Sequence, residues 1–371
     1  MKQIILIFFL TAVTLIGAEE LTVVRNPAKP SKAHAGRIIA IKEVMRITDA
    51  EGDFYFKNPE KIKIAPDESI FIVDRYQFLR FDKNGKFMGN QQKKGKGPGE
   101  YVIIRNYFFS KNAIIIYAYL PDKIIETDLT GNLLKEKRLK IRHGFYNVLA
   151  YDKGKFWVFD AGPRDWSKAK AGRFNVNKEL CLEASDETIH KTGLQFPEKA
   201  YRVRRELNGA KQSLEYIITP TLVALDGENS LYVSHSRQYN INRVDLIKEI
   251  IAGAFNRKYT GVAYQKKKEE DGDRILNPPD PEFFNDIQKL YFHNDRLWVL
   301  TSTIEKEKGV LVDIFSREGK YMDNFYLPLP QVETVHQLEE ISLTFHKNHF
   351  FIVEKDEEEN PVVVKYQYQL L

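Results

Sequence analysis

Six short runs of this chain can be laid over one another. They are Ser69-Ile-Phe-Ile-Val-Asp74, Ala113-Ile-Ile-Ile-Tyr-Ala118, Lys155-Phe-Trp-Val-Phe-Asp160, Ser230-Leu-Tyr-Val-Ser-His235, Arg296-Leu-Trp-Val-Leu-Thr301 and His349-Phe-Phe-Ile-Val-Glu354. The third position is aromatic in all but one, as Phe71, Trp157, Tyr232, Trp298 and Phe351, with Ile115 the exception. The fourth is always β-branched: Ile72, Ile116, Val158, Val233, Val299 and Ile352. Side chains of these types suit a strand buried between neighbouring sheets. A unit that recurs along the whole chain indicates a repeat architecture.

Most of the runs follow a turn: Pro66-Asp67, Asp152-Lys153-Gly154, Asp226-Gly227, Asn294-Asp295 and Lys347-Asn348. After several of them comes a strand pair hinged on glycine, at Asn84-Gly85, Gly131-Asn132 and Glu318-Gly319. The unit is therefore strand, turn, strand, connector, strand, turn, strand. That is the four-stranded antiparallel blade of an all-β propeller, and the chain holds six.

Successive third positions lie 44, 42, 75, 66 and 53 residues apart. A bare blade needs about 40–45 residues. The longer intervals predict two insertions, near residues 163–219 and 256–281, projecting on one face. The last unit has room for three strands only, whereas Arg37–Ile47 is a strand without a hairpin partner. Joining the two gives a final blade built from both termini, which removes an open sheet edge.

Between the first two units lies Gly95-Lys96-Gly97-Pro98-Gly99-Glu100-Tyr101, a stretch incompatible with a helix or central strand. It lacks the Gly-Lys-Ser/Thr ending of a phosphate loop, so it reads as the connection from blade 1 to blade 2. Three features now occur in order. They are Phe71-Ile72-Val73-Asp74, the hairpin Leu79 to Phe87 carrying Phe81-Asp82-Lys83-Asn84-Gly85-Lys86, and this glycine loop. The chain here resembles the exported six-bladed β-propeller proteins of bacteria, related in architecture to the NHL-repeat family. That resemblance implies a fold and little about activity, since such propellers include binders, scaffolds and enzymes.

The N-terminus reads as an export signal over residues 1–18, with Lys2, an apolar run Ile4–Ile16 and the small pair Gly17-Ala18. A flexible lead-in is expected over 19–36 and the propeller over 37–371. With the single Cys181 no intramolecular disulfide can form. A monomeric periplasmic or secreted protein is expected, with no transmembrane segment once the signal is removed. Its 56 basic and 51 acidic residues give a net charge of +5. That is far from the concentrated basic stripe of a nucleic-acid binder.

No catalytic constellation stands out: there is no G-x-S-x-G elbow, and Cys181 sits in an alternating strand-like run. In a propeller, ligand contacts come from the loops around the channel mouth. The residues placed there are Asp74, Arg75, Tyr76, Lys96, Glu100, Arg142, His143, Asp160, Arg164, Trp166, His235 and Arg237. The basic and aromatic side chains of Lys199–Arg205 and of Pro163–Arg173 suit an anionic ligand, a sugar or an acidic partner surface. The leading expectation is a binding or scaffold module for a protein or carbohydrate, without a cofactor. The alternative is a metal-dependent lyase or lactonase. Asp74, Asp160, His235 and Glu354, with Thr301, all end the same strand of their units and would hold calcium or zinc. His346 and His349 flank a turn, and no third ligand is placed beside them.

Overall fold

The computed structural model describes residues 21–49, 52–139, 147–152, 154–161, 171–184, 188–207, 210–266 and 280–370. The aligned runs are the second strands of six sheets. In all six the β-branched fourth position is at most 1% exposed. Cutting one back to alanine removes roughly 2–5 kcal/mol of packing.

Blade 1 comprises Pro59–Ile64, Ile70–Asp74, Gln77–Phe81 and Phe87–Asn90, and blade 2 comprises Ile103–Ser110, Ala113–Tyr119, Lys123–Asp128 and Leu133–Arg138. Blade 3 runs Asn147–Asp152, Lys155–Asp160, Gly172–Ala184, Ile189–Leu207 and Ala210–Thr219. Blade 4 has Leu222–Leu225, Ser230–Ser234, Ile241–Asp245 and Ile250–Arg257; blade 5 has Ile287–His293, Arg296–Glu305, Gly309–Phe315 and Tyr321–Leu327. Blade 6 has Leu343–His346, His349–Lys355 and Pro361–Gln369. A short helix, α1 (Val335–Glu340), lies between blades 5 and 6.

The N-terminal segment binds the blades together. Strand β1 (Val23–Asn26) adds in parallel to Ile250–Arg257 of blade 4, and β2 (Arg37–Ile38) adds in parallel to Tyr321–Leu327 of blade 5. Strand β3 (Ala40–Ile47) pairs antiparallel with Pro361–Gln369 and completes blade 6. The expected closing strand thus exists, but its first two residues serve a different blade. Residues 21–36, expected as a flexible lead-in, form a strap instead. The Asn26 amide donates to the carbonyls of Asn256 and Gly319 at 2.9 Å each, and its oxygen accepts the Tyr321 N–H at 2.9 Å. Arg37 holds Asp323 by two 3.0 Å bonds, and Lys32 reaches the same carboxylate at 3.0 Å.

The insertion expected near 163–219 also differs. Its described part is not a separate excursion, because it lengthens the outer strands of blade 3. Lys178 and Glu198 pair across these strands at 2.7 Å while buried. Charges that neutralise one another in this way let a long polar strand stay in the sheet.

Near the channel, side chains on or beside the innermost strands reach the carbonyls of the neighbouring blade. Tyr107 donates to Lys61 O (2.6 Å), Asn106 to Val148 O (2.7 Å), Asn285 to Ile218 O (3.1 Å), Tyr291 to Leu343 O (3.0 Å) and Thr344 to Ile62 O (2.8 Å). Four of them span the joints between blades 1 and 2, 2 and 3, 5 and 6, and 6 and 1, and the Asn285 bond reaches the last strand of blade 3. They satisfy carbonyls that no strand covers on the channel side.

Candidate functional site

Two kinds of connection gather at one mouth of the channel: those from each outer strand to the next blade, and the turns after each second strand. The loop Gly95–Tyr101 is of the first kind, and its composition follows from its geometry. Glu100 folds back so that its carboxylate accepts the Gly97 N–H at 2.8 Å. A Cβ on Gly95 would stand 2.0 Å from that carboxylate. The loop is fastened from below by Lys123, which is fully buried. Its ammonium donates to Gly97 O (2.6 Å) and Glu100 O (3.1 Å) and pairs with Glu136 at 2.9 Å. Glu100 is therefore a brace within its own loop, and Lys96 beside it is exposed.

The second-strand residues have structural duties. Asp74 is fully buried, and its two carboxylate oxygens accept the N–H groups of Lys57 and Asn58 at 2.7 Å each. Thr301 is fully buried and donates to Leu311 O at 3.0 Å; its strand continues to Glu305, so it ends nothing. Glu354 is buried and lies 3.5 Å from Arg46 of the closing strand. Burial pushes its carboxyl above the usual range. His235 packs edge-on against Phe196, with Nδ1 3.3 Å from Pro197 O. Asp160 is partly buried at the end of its strand. Arg237 lies 3.6 Å from the buried Asp286 and over the Phe283 ring. His346 and His349 are directly paired across a hairpin. Among the described residues, no three His, Cys, Asp or Glu side chains are grouped to hold a metal. Arg142, His143, Arg164 and Trp166 lie outside the described residues.

On blade 1 the mouth carries aromatic rings in the open. Tyr55 and Tyr76 are 52% and 51% exposed. Lys57 lies over the first ring at 5.0 Å and Lys94 over the second at 4.9 Å. Gln77 ties the two segments together by donating to Tyr55 O at 2.7 Å. Arg75, also exposed, holds a left-handed turn between them at φ 50°. This is an exposed, basic, aromatic platform.

A half-open cavity of about 430 Å³ lies at the same mouth, between the last strand of blade 3, the first strands of blades 4 and 5, and α1. Its wall is apolar from Ile218, Leu222, Val223, Ile287 and Leu290, and polar from Asn285, Gln288, Lys289, Tyr291 and Glu339. Lys289 donates to the Glu339 carbonyl in the last turn of α1 at 3.3 Å. Burial lowers the Lys289 pKa and raises that of Glu339. The connector between blades 4 and 5 meets α1 here: Tyr264, Phe284 and His336 form a triangle of rings 4.8–5.4 Å apart. Sequence reasoning missed this site. Its one signal is a lysine in an innermost strand. Lys63 of blade 1 is a second such lysine, wedged between the Tyr107 and Phe108 rings, and burial takes its pKa down to about 7.

Six sheets in sequence, each running from channel to rim and the last completed by β3, decide the architecture. The fold is a six-bladed β-propeller. Residues 47–200 match the DUF5128 family model, described as a 6-bladed beta-propeller. A Bacteroides fragilis protein described as exported aligns with 94% of this chain and 100% of its own, at 14% identity and TM-score 0.51. A member of the duf4221 family from Bacteroides vulgatus aligns with 91% of this chain and all of its own, at 6% identity and TM-score 0.53. At such identities the likeness is one of fold. No curated protein matches by sequence. Among the described residues, no helix of this propeller is long and apolar enough to cross a membrane.

Proposed function

We propose that this propeller is a non-catalytic binding module that engages a carbohydrate or protein ligand at its channel mouth, outside the cytoplasm. The observation that carries this is the blade 1 platform. Two half-exposed tyrosines, each under a lysine and joined by a turn bearing Arg75, offer stacking surface and positive charge together. That combination suits the ring faces and carboxylates of an acidic glycan, or an acidic protein surface. Lys96, exposed on the loop that follows blade 1, would extend it. The leader-like residues 1–18 and the fold shared with a protein described as exported support a place beyond the cytoplasmic membrane.

A metal-dependent lyase or lactonase has less support, because Asp74 spends both carboxylate oxygens on backbone amides. The test is a screen of acidic and neutral glycans against the full chain, repeated with Tyr55→Ala/Tyr76→Ala. Binding should fall at least tenfold while the melting temperature stays within a degree or so, since both rings are surface groups. Unchanged affinity in the double variant would remove the platform from the account.

A further inference from the structure

The cavity between the last strand of blade 3, blades 4 and 5, and α1 is lined by two charged residues of opposite sign, Lys289 and Glu339, with no close ion pair between them. Lys289, on the innermost strand of blade 5, has the α1 carbonyl of Glu339 as its hydrogen-bond partner; no carboxylate among the described residues forms an ion pair with it. Glu339, on α1, also lines the cavity, with its carboxylate 3.5 Å from His336 Nδ1. Burial disfavours the charged form of both. For Lys289 this is costly, because its ammonium is partly desolvated with a carbonyl and no close anion to satisfy it, whereas the Glu339 side chain stays 40% exposed.

The rest of the wall narrows the choice of occupant. The amides are already committed, Asn285 Nδ2 to Ile218 O at 3.1 Å and Gln288 Nε2 to Asn285 O at 2.8 Å. Their oxygens remain as acceptors for an N–H group. A single ammonium matches one negative charge, and the neighbouring Glu339 opposes a dianion such as phosphate. Ile218, Leu222, Val223, Ile287 and Leu290 supply an apolar wall. A volume of about 430 Å³ falls in the small-molecule range.

We propose that this cavity binds a free α-amino acid with an apolar side chain, its carboxylate on Lys289, its ammonium on Glu339 and its side chain against the aliphatic wall. The site shares no residue with the tyrosine platform on blade 1, so each can fail without the other.

The experiment is titration calorimetry of the full chain with L-leucine, isocaproate and isoamylamine, which keep the same side chain and remove one charged group in turn. Leucine should bind at least tenfold more tightly than either analogue. Lys289→Met and Glu339→Gln should each weaken leucine by about tenfold, which corresponds to 1.4 kcal/mol. Ile217, 43% exposed at the rim, can be changed without risk to the core, and Ile217→Trp should block access. No leucine binding at millimolar concentration would overturn the proposal. So would isocaproate binding as tightly as leucine, which would leave a simple anion site, or leucine binding that survives both Lys289→Met and Ile217→Trp.

Discussion

Arg257 and Asp313 meet across the joint between blades 4 and 5, Nε to carboxylate at 2.6 Å, with side chains 5% and 0% exposed. The hydroxyls of Tyr239 (2.8 Å) and Tyr321 (2.5 Å) donate to the same carboxylate, and both rings also face the guanidinium, at 5.0 and 5.4 Å. Asp313→Ala strands a buried cation and two phenol groups. Breaking a buried pair from one side costs about 3–5 kcal/mol. Urea denaturation should show a loss of that size; a loss below about 1 kcal/mol would mean the joint is held by its apolar contacts alone.

The N-terminal strap should come apart in grades. Removing residues 37–48 takes away β3 and exposes the outer edge of blade 6, so the chain should lose its cooperative thermal transition. Removing residues 21–33 takes away β1, the Asn26 and Lys32 contacts and the Ala28 carbonyl that accepts from Arg257. The ring should still close, with a melting temperature lower by several degrees. Calorimetry distinguishes the two. A full-sized transition after loss of 37–48 would refute closure by β3.

Acid should weaken the joint between blades 5 and 6 through His293. This imidazole is 8% exposed, packs edge-on against Trp298 at 4.9 Å and bonds the Tyr368 hydroxyl at 2.5 Å. Burial lowers its pKa from 6.5 to about 4. Between those values the unfolded chain binds the proton and the folded chain does not. Stability from this group is therefore complete above about pH 6.5 and is lost as pH falls towards 4, by at most about 3 kcal/mol. Denaturation at pH 7 and pH 4.5 should show that loss in the native protein and a smaller one in His293→Gln. Parallel pH dependence in both would assign the effect to other groups.

The sequence announced the blades because their second strands must be apolar on both faces, and Phe71-Ile72 or Trp298-Val299 leave no other use for such residues. The closing strand was legible because Arg37–Ile47 had no hairpin partner nearby. The strap was not legible. Val23–Asn26 is four residues long and takes its order from Ile250–Arg257, more than 220 positions away. The long strands of blade 3 hid for another reason: Lys178 and Glu198 break the apolar alternation in each strand and cancel only when paired. Of the candidate site, Arg75 and Tyr76 were legible as turn residues with exposed chemistry. Asp74 was placed at the right strand end, where its carboxylate binds backbone amides, as an aspartate at a turn is expected to do. Lys289 was invisible, since Gln288-Lys289-Leu290-Tyr291 reads as an ordinary half-buried strand until α1 is packed against it.

The strap also sets a timetable. Strand β3 leaves the ribosome about 320 residues ahead of its partner Pro361–Gln369. At about 5–20 residues per second, some tens of seconds separate them. Through that interval the ring has an unsealed seam and cannot lock. A nascent chain of this kind therefore stays open until Pro361–Gln369 has emerged. Any machinery that must thread it unfolded meets a polypeptide whose final lock has not yet been made.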